Sequence, residues 1–330
     1  PAVKSGSAVS SNLSRFFHID AKTRTLLVAC ASAGAIASIF QSPIAAIIFA
    51  VEVFTLDLTM MSMLPLLLAS ISGVLTSYFF LGNEVLFSFS LSEGFKLEDT
   101  AFYVLLGVGT GFASIYFTKM YFAILSLFKK LKSPKYKLLV GGVAIGIMLY
   151  AIPPLYGEGF GFINNLLDGD HLKALGTTPF DAFTDNIWVV IALLFGITIF
   201  KAIAMTTTIG AGGAGGVFIP TMVMGSALGN VVAKVINNLG LGLSVSESNF
   251  TLIGMAGLIA GVIHAPLTAI FLIAEITGGY QLFVPLMITA AISYLITKNA
   301  LDYTIYTKEL AKIGALLSHN KDQMVLGLME

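Results

Sequence analysis

The sequence predicts an all-α polytopic membrane protein assembled from short, broken helices around an internal repeat. Three observations predict it. Of 330 residues, 56% are hydrophobic and only 11% charged, whereas soluble domains carry about a quarter charged residues. Apolar runs recur at 62–81, 101–128, 187–206, 217–236 and 249–297, each holding the ~20 residues that cross a bilayer core. Finally, "GAIASIFQSPIAAIIFAVEVF" from Gly34 aligns without gaps with "GLIAGVIHAPLTAIFLIAEIT" from Gly257, at an offset of 223. Gly34/Gly257, Ile36/Ile259, Ala37/Ala260, Pro43/Pro266, Ala46/Ala269, Ile47/Ile270 and Glu52/Glu275 are identical. Internal symmetry with short, broken apolar segments in matching places is the pattern of transporter and channel folds.

The elements follow in order. Residues 8–18 and 22–38 read as helices, and "FQSP" breaks the second. Pro43 suits the first turn of a short helix over 43–54, where its missing N–H costs nothing. Spanning helices are expected at 60–81, 101–130 and 138–152. The loop "KKLKSPKYK" carries Lys129, Lys130, Lys132, Lys135 and Lys137 with no acid, which places it on the cytoplasmic side. The loops beyond the flanking helices are acidic and external by alternation: Glu84, Glu93, Glu98 and Asp99 in one, Glu158, Asp168, Asp170, Asp181 and Asp185 in the other. A long polar stretch, 153–184, precedes helices at 187–206, 217–236, 249–263, 266–277 and 282–298. An amphipathic segment, 303–317, and a polar tail close the chain.

Composition excludes several functions. Net charge is zero, and no basic stripe with aromatics offers a nucleic-acid surface. Cys30 is the single cysteine, so no internal disulfide framework exists. The four histidines (His18, His171, His264, His319) are scattered, and neither CxxC nor HExxH occurs, so no metal or cofactor is expected. Ser38, Ser42, Thr206, Thr207 and Thr208 have no His–Asp partner nearby, which argues against an intramembrane enzyme. No signal peptide opens the chain, and a start at Pro1 without Met reads as a fragment of a longer protein.

"IGAGGAGGVFIP" at 209–220 satisfies G-x-G-x-x-G through Gly210, Gly212 and Gly215. A dinucleotide loop needs a strand before it and an acid about 20 residues on. No Asp or Glu lies between Asp185 and Glu247, and the flanks are membrane-length apolar runs. Two readings stay open. The glycines expose backbone N–H groups at a helix start, with Pro220 in the first turn, and so make an anion site. Alternatively, they only allow close helix packing. Glu52 and Glu275 are the acids placed deepest in apolar segments. An ionisable group at that depth reads as functional by default, but the symmetric placement favours a shared structural role, capping neighbouring backbone N–H groups.

These residues resemble the CLC chloride channels and transporters. Gly216-Val217-Phe218-Ile219-Pro220 matches the family's G-x-F-x-P motif, and "GEGFGF" at 157–162 resembles its G-x-G-[FY] loop. "GMAGLIAGVIHAPLTAIFLIAEITGGYQLFVPLMIT" at 254–289 and "SIFQSPIAAIIFAVEVF" at 38–54 are similar to two helix regions related by inverted symmetry, and "YTIYTKEL" at 303–310 to the start of the last membrane helix. The resemblance covers essentially the whole chain. It implies a CLC-type inverted-repeat fold with tilted helices, in a cell (plasma or inner) membrane and in contact with lipid. It implies that backbone N–H groups of Val217 and Phe218 and the Tyr306 hydroxyl bind chloride or another small anion. It implies a homodimer through roughly 43–54, 62–81, 266–277 and 282–298. Residues 1–313 would form the membrane domain, N-terminally incomplete, and 314–330 a cytoplasmic linker toward a CBS-domain pair outside this chain. Pro1-Ala2-Val3 resembles the residues just after the family's gate glutamate, so that glutamate and the G-S-G-I-P stretch would lie upstream of Pro1. One departure bears on mechanism: Val53 stands where exchangers of the family carry an inner proton-transferring glutamate. Neighbours Ala50, Val51 and Phe54 are apolar too, so passive conduction is favoured over proton-coupled chloride or fluoride exchange.

Overall fold

In a computed structural model the described residues are 2–56, 59–82, 94–240, 242 and 244–312. They form α1 (Ala2–Phe16), α2 (Ala21–Phe40), α3 (Pro43–Phe54), α4 (Met60–Leu81), α5 (Thr100–Lys130), α6 (Pro134–Ala151), α7 (Phe160–Leu167) and α8 (His171–Leu175). Then follow α9 (Ile187–Gly210), α10 (Phe218–Asn238), α11 (Glu247–Ile263), α12 (Pro266–Ile276), α13 (Phe283–Ala300) and α14 (Thr307–Lys312). Local chemistry sets the ends. Pro43, Pro134 and Pro266 open α3, α6 and α12. Asp20 caps α2 by accepting from the Thr23 N–H at 3.0 Å, and Thr59 and Ser62 form a reciprocal box at the start of α4.

Among the described residues six stretches are long and apolar enough to cross a membrane: Ala21–Phe40, Met60–Leu81, Leu97–Lys130, Ile187–Gly210, Phe218–Asn238 and Phe283–Ala300. The helices α3, α11 and α12 are apolar but shorter. No strand occurs among the described residues, so the all-α class expected from the apolar runs holds.

The repeat is larger than its sequence trace. α2 and α11 end at Phe40 and Ile263, an offset of 223. Each is followed by a non-glycine residue in the left-handed region, Gln41 (φ 53) and His264 (φ 59). α4 and α13 begin at Met60 and Phe283, again 223 apart. So α1–α4 correspond to α10–α13, with α5–α9 between them. The pseudo-twofold relation is visible where α3 meets α12. The Glu275 carboxylate accepts from the Ile44 and Ala45 N–H groups at 3.1 and 2.8 Å. The Glu52 carboxylate accepts from the Leu267 and Thr268 N–H groups at 3.0 and 2.7 Å. The last turn of each short helix therefore caps the first turn of the other, which makes the two antiparallel.

Small residues bring the long helices together. A Cβ on Gly229 would strike the Phe250 carbonyl, and one on Gly254 would strike the Gly225 carbonyl, so α10 and α11 touch backbone to backbone. α5 and α13 run parallel: the Thr289 hydroxyl donates to the Tyr103 carbonyl at 3.0 Å, and that of Thr297 to the Gly111 carbonyl at 3.3 Å.

Several expectations change. The first helix, expected over 8–18, runs over Ala2–Phe16, and the helix expected over 138–152 starts at Pro134, a first-turn proline. The stretch 153–184 is not a plain polar loop. It holds α7 and α8, with Phe162, Ile163, Leu166 and Leu167 buried, because an apolar face every three to four residues was hidden among glycines and acids. α9 runs on to Gly210, past the expected end at 206; the Thr206 and Thr208 hydroxyls donate to the Ala202 and Ala204 carbonyls, so these polar residues are satisfied within the helix. Of the described part of the amphipathic segment 303–317, residues 303–312, Thr307–Lys312 is helical; residues 313–317 and the linker 314–330 lie outside the described residues.

Candidate anion site

The glycine loop folds back on the end of α9. The Ala211 and Gly213 N–H groups donate to the Thr207 and Thr208 carbonyls at 2.8 and 2.9 Å. Gly212 sits at φ 103, which excludes a side chain. A Cβ on Gly213 would come 2.8 Å from Thr208 Cγ2, and one on Gly215 2.7 Å from Ile209 Cγ1. The glycines therefore allow close approach of the loop to the end of α9, and no side chain of theirs covers the start of the next helix. A helix rather than a strand precedes the loop, so the nucleotide geometry is absent.

α10 begins at Phe218, with Val217 at the cap position and no side-chain cap. The Val217 carbonyl accepts from the Thr221 N–H at 3.1 Å. Pro220 has no N–H to satisfy. The N–H groups of Val217, Phe218 and Ile219 have no acceptor among the described residues, and they sit at the positive end of a 21-residue helix. The Gly216 side adds no Cβ to obstruct them. The Phe218 ring is fixed by Phe40 at 5.4 Å and Phe49 at 6.5 Å between ring centres, so the end of α2 and the middle of α3 hold this corner.

Tyr306 lies between α13 and α14, 39% exposed. Its N–H donates to the Thr304 hydroxyl at 3.2 Å, and Lys308 stands 3.8 Å over the Phe122 ring, which seats this segment beside α5. Among the described residues Tyr306 shares no hydrogen bond or ring contact with 216–220. Val53 is half-buried on α3 against the core, next to the Glu52 that caps α12. Glu52 and Glu275 are committed to backbone N–H groups rather than turned to the α10 start.

Two buried cations escaped the sequence reading. Lys201 in "FKAIAM" is 2% exposed, and Lys234 in "VVAKVI" is paired with Glu247 at 2.6 Å. A lone lysine inside an apolar run was the available signal. His171 Nδ1 lies 3.5 Å from the Lys234 ammonium. Burial first, and the Lys234 charge second, hold His171 below its ordinary pKa of 6.5. No group of three or more His, Cys, Asp or Glu side chains among the described residues is arranged to hold a metal ion. An unobstructed helix start is suited to hold an anion by hydrogen bonds without a full positive charge.

A family model described as voltage gated chloride channel matches residues 1–298. The chain is 26% identical over 312 residues to a putative chloride channel protein ClcB-like of Ralstonia nicotianae, covering 94% of this chain and 68% of that protein. It is 27% identical over 292 residues to the voltage-gated ClC-type chloride channel ClcB of an Escherichia coli O6:H1 strain, covering 87% and 65%. The chain therefore spans about two thirds of the length of these relatives. Among solved structures, a slow cyanobacterial Cl−/H+ antiporter matches with TM-score 0.76 at 20% identity, over 94% of this chain and 70% of that one. A CLC-type fluoride/proton antiporter matches with TM-score 0.73 at 21% identity, over 92% and 70%. At such identity these two likenesses concern the fold alone.

Proposed function

This chain belongs to the voltage-gated chloride channel family, and from that premise we propose that it forms the larger part of a pathway carrying chloride or another small anion passively across a cell membrane. The observation that carries the proposal is the start of α10: three backbone N–H groups at 217–219 without acceptors among the described residues, at a positive helix end, behind glycines that keep side chains away. The Tyr306 hydroxyl adds a neutral donor. Binding by N–H and phenol groups is favourable yet escapable, as conduction requires.

The finer reading, conduction rather than exchange, rests on Val53. A valine side chain cannot carry a proton, and Ala50, Val51 and Phe54 around it cannot substitute. Proton-coupled chloride or fluoride exchange is the competing reading, since the two similar solved structures are antiporters. Anion efflux from liposomes holding the full-length protein, recorded together with proton movement, decides between them. Chloride efflux without uphill proton pumping is expected. Stoichiometric pumping would assign the inner proton to another group and remove the Val53 argument. Absence of flux for every anion would remove the anion-site reading itself.

A further inference from the structure

Lys201 is a buried charge with no counter-charge among the described residues. It lies roughly 21 Å along α9 from Ile187, at 1.5 Å rise per residue, well inside an apolar helix. It is 2% exposed. Its Nζ donates to the Leu155 and Gly157 carbonyls, each at 3.1 Å. Among the described residues no carboxylate lies within 4.0 Å of it, whereas Lys234 has Glu247. Burying an ammonium is costly, and two carbonyl dipoles offset only part of that cost. The loop it holds leads to the anion site. Two residues after Gly157, Gly159 adopts φ 94, and a Cβ there would stand 2.5 Å from Val223 Cγ2. Val223 sits in the second turn of α10, about 7.5 Å along the helix from the bare N–H groups at its start.

We propose that Lys201 supplies the fixed positive charge of the anion pathway, its ammonium held at depth by the Leu155 and Gly157 carbonyls so that the bound anion is its counter-charge. It acts through its field and not by contact, and the proposal rests on the anion reading of the α10 start. An ammonium with a well-placed but neutral first shell of partners is what such a task needs. A carboxylate partner would cancel the field that favours the anion. The carbonyls fix the charge in position and leave it uncancelled.

The test is chloride titration by calorimetry on the full-length protein in detergent, at low ionic strength, with Lys201→Arg, Lys201→Gln and Lys201→Met. Gln keeps donors for the carbonyls without the charge; Met keeps neither. If the path through Gly157, Gly159 and Val223 is taken as about 20 Å, with an effective dielectric of about 20, loss of the charge weakens chloride about four-fold. Arg is expected to stay near wild type, and Gln and Met to lose that factor together. Wild-type affinity in Gln with a loss only in Met would reduce Lys201 to a loop staple and overturn the proposal, as would unchanged affinity in all three. Should the neutral variants fail to give monodisperse protein, Thr198→Glu, one turn earlier on α9, neutralises the ammonium in place. The same four-fold loss is expected, and unchanged affinity overturns the proposal. Absence of chloride binding in the wild type would instead sink the anion site on which the inference stands.

Discussion

At the scale of single residues, the crossed caps of Glu52 and Glu275 are the most informative contact. Each carboxylate sits at the positive end of the partner's short helix and satisfies two N–H groups that the helix cannot. The symmetry is imperfect in one respect: Glu52 also accepts from the Thr268 hydroxyl at 2.5 Å, whereas the matching position in α3 is Ala45. Glu52→Ala is therefore expected to cost more than Glu275→Ala, with both in the range of about 1–3 kcal/mol for stranded polar groups. Thermal unfolding in detergent checks the order, and the reverse order would show that the hydroxyl contributes nothing. His171 supplies a pH effect with a definite sign. Its pKa is lowered in the folded protein by burial and by Lys234, so the unfolded chain takes up the proton first. The stability it contributes is complete above about pH 6.5 and is lost as pH falls through its folded value. Unfolding temperature against pH should fall more steeply on the acid side in wild type than in His171→Gln. Identical slopes would remove His171 from the acid response.

At the scale of elements, glycine decides which helices can touch. The Cβ of an alanine at 229 would fall on the Phe250 carbonyl, a backbone atom that cannot move aside, so Gly229→Ala should cost at the upper end of the roughly 1–3 kcal/mol seen for overpacking. Gly142 in α6 has open space around its Cβ position, and Gly142→Ala should be neutral or stabilising by up to about 1 kcal/mol through helix propensity. Comparable losses in the two variants, read as recovery of monodisperse protein and unfolding temperature, would contradict the backbone contact. The same scale shows what could be read in advance. α3 and α4 were legible to the residue, because Pro43 and the polar break before Met60 mark their starts in local chemistry. The bare start of α10 was legible because glycine and proline are positional signals. α7 was not, because its eight residues lie between acids and glycines and only tertiary burial reveals its apolar face. Lys201 was overlooked for a different reason: one charge in a long apolar run barely changes the run's character, and its carbonyl partners are 44 and 46 residues away.

At the scale of the molecule, the repeat poses a problem that one copy leaves unsolved. α3 has 12 residues and α12 has 11, well short of the ~20 that span a bilayer core. Their ends, and the carboxylates that cap them, therefore sit at depths where lipid cannot satisfy polar groups. At both capped starts the outward residue is apolar and open: Ile44 is 44% exposed and its repeat partner Leu267 is 51% exposed. On the adjoining α4 and α13, Leu68 and Leu295 are 59% and 56% exposed. We propose that a second copy of the chain covers this face through 43–54, 62–81, 266–277 and 282–298, giving an isologous dimer with a twofold axis along the membrane normal. Two capped helix starts per copy would then be sealed by protein instead of lipid. The proposed anion site draws only on residues of one copy, the α10 start with Phe40 and Phe49 behind it, so a separated protomer should keep its pathway. Ile44→Trp combined with Leu267→Trp is expected to shift full-length protein in detergent from dimer to monomer by light scattering, with anion efflux per chain within about two-fold of wild type. Wild-type protein that is monomeric at every concentration would end the dimer proposal. A monomeric double variant without flux would place part of the pathway across the interface, against a site built within one copy.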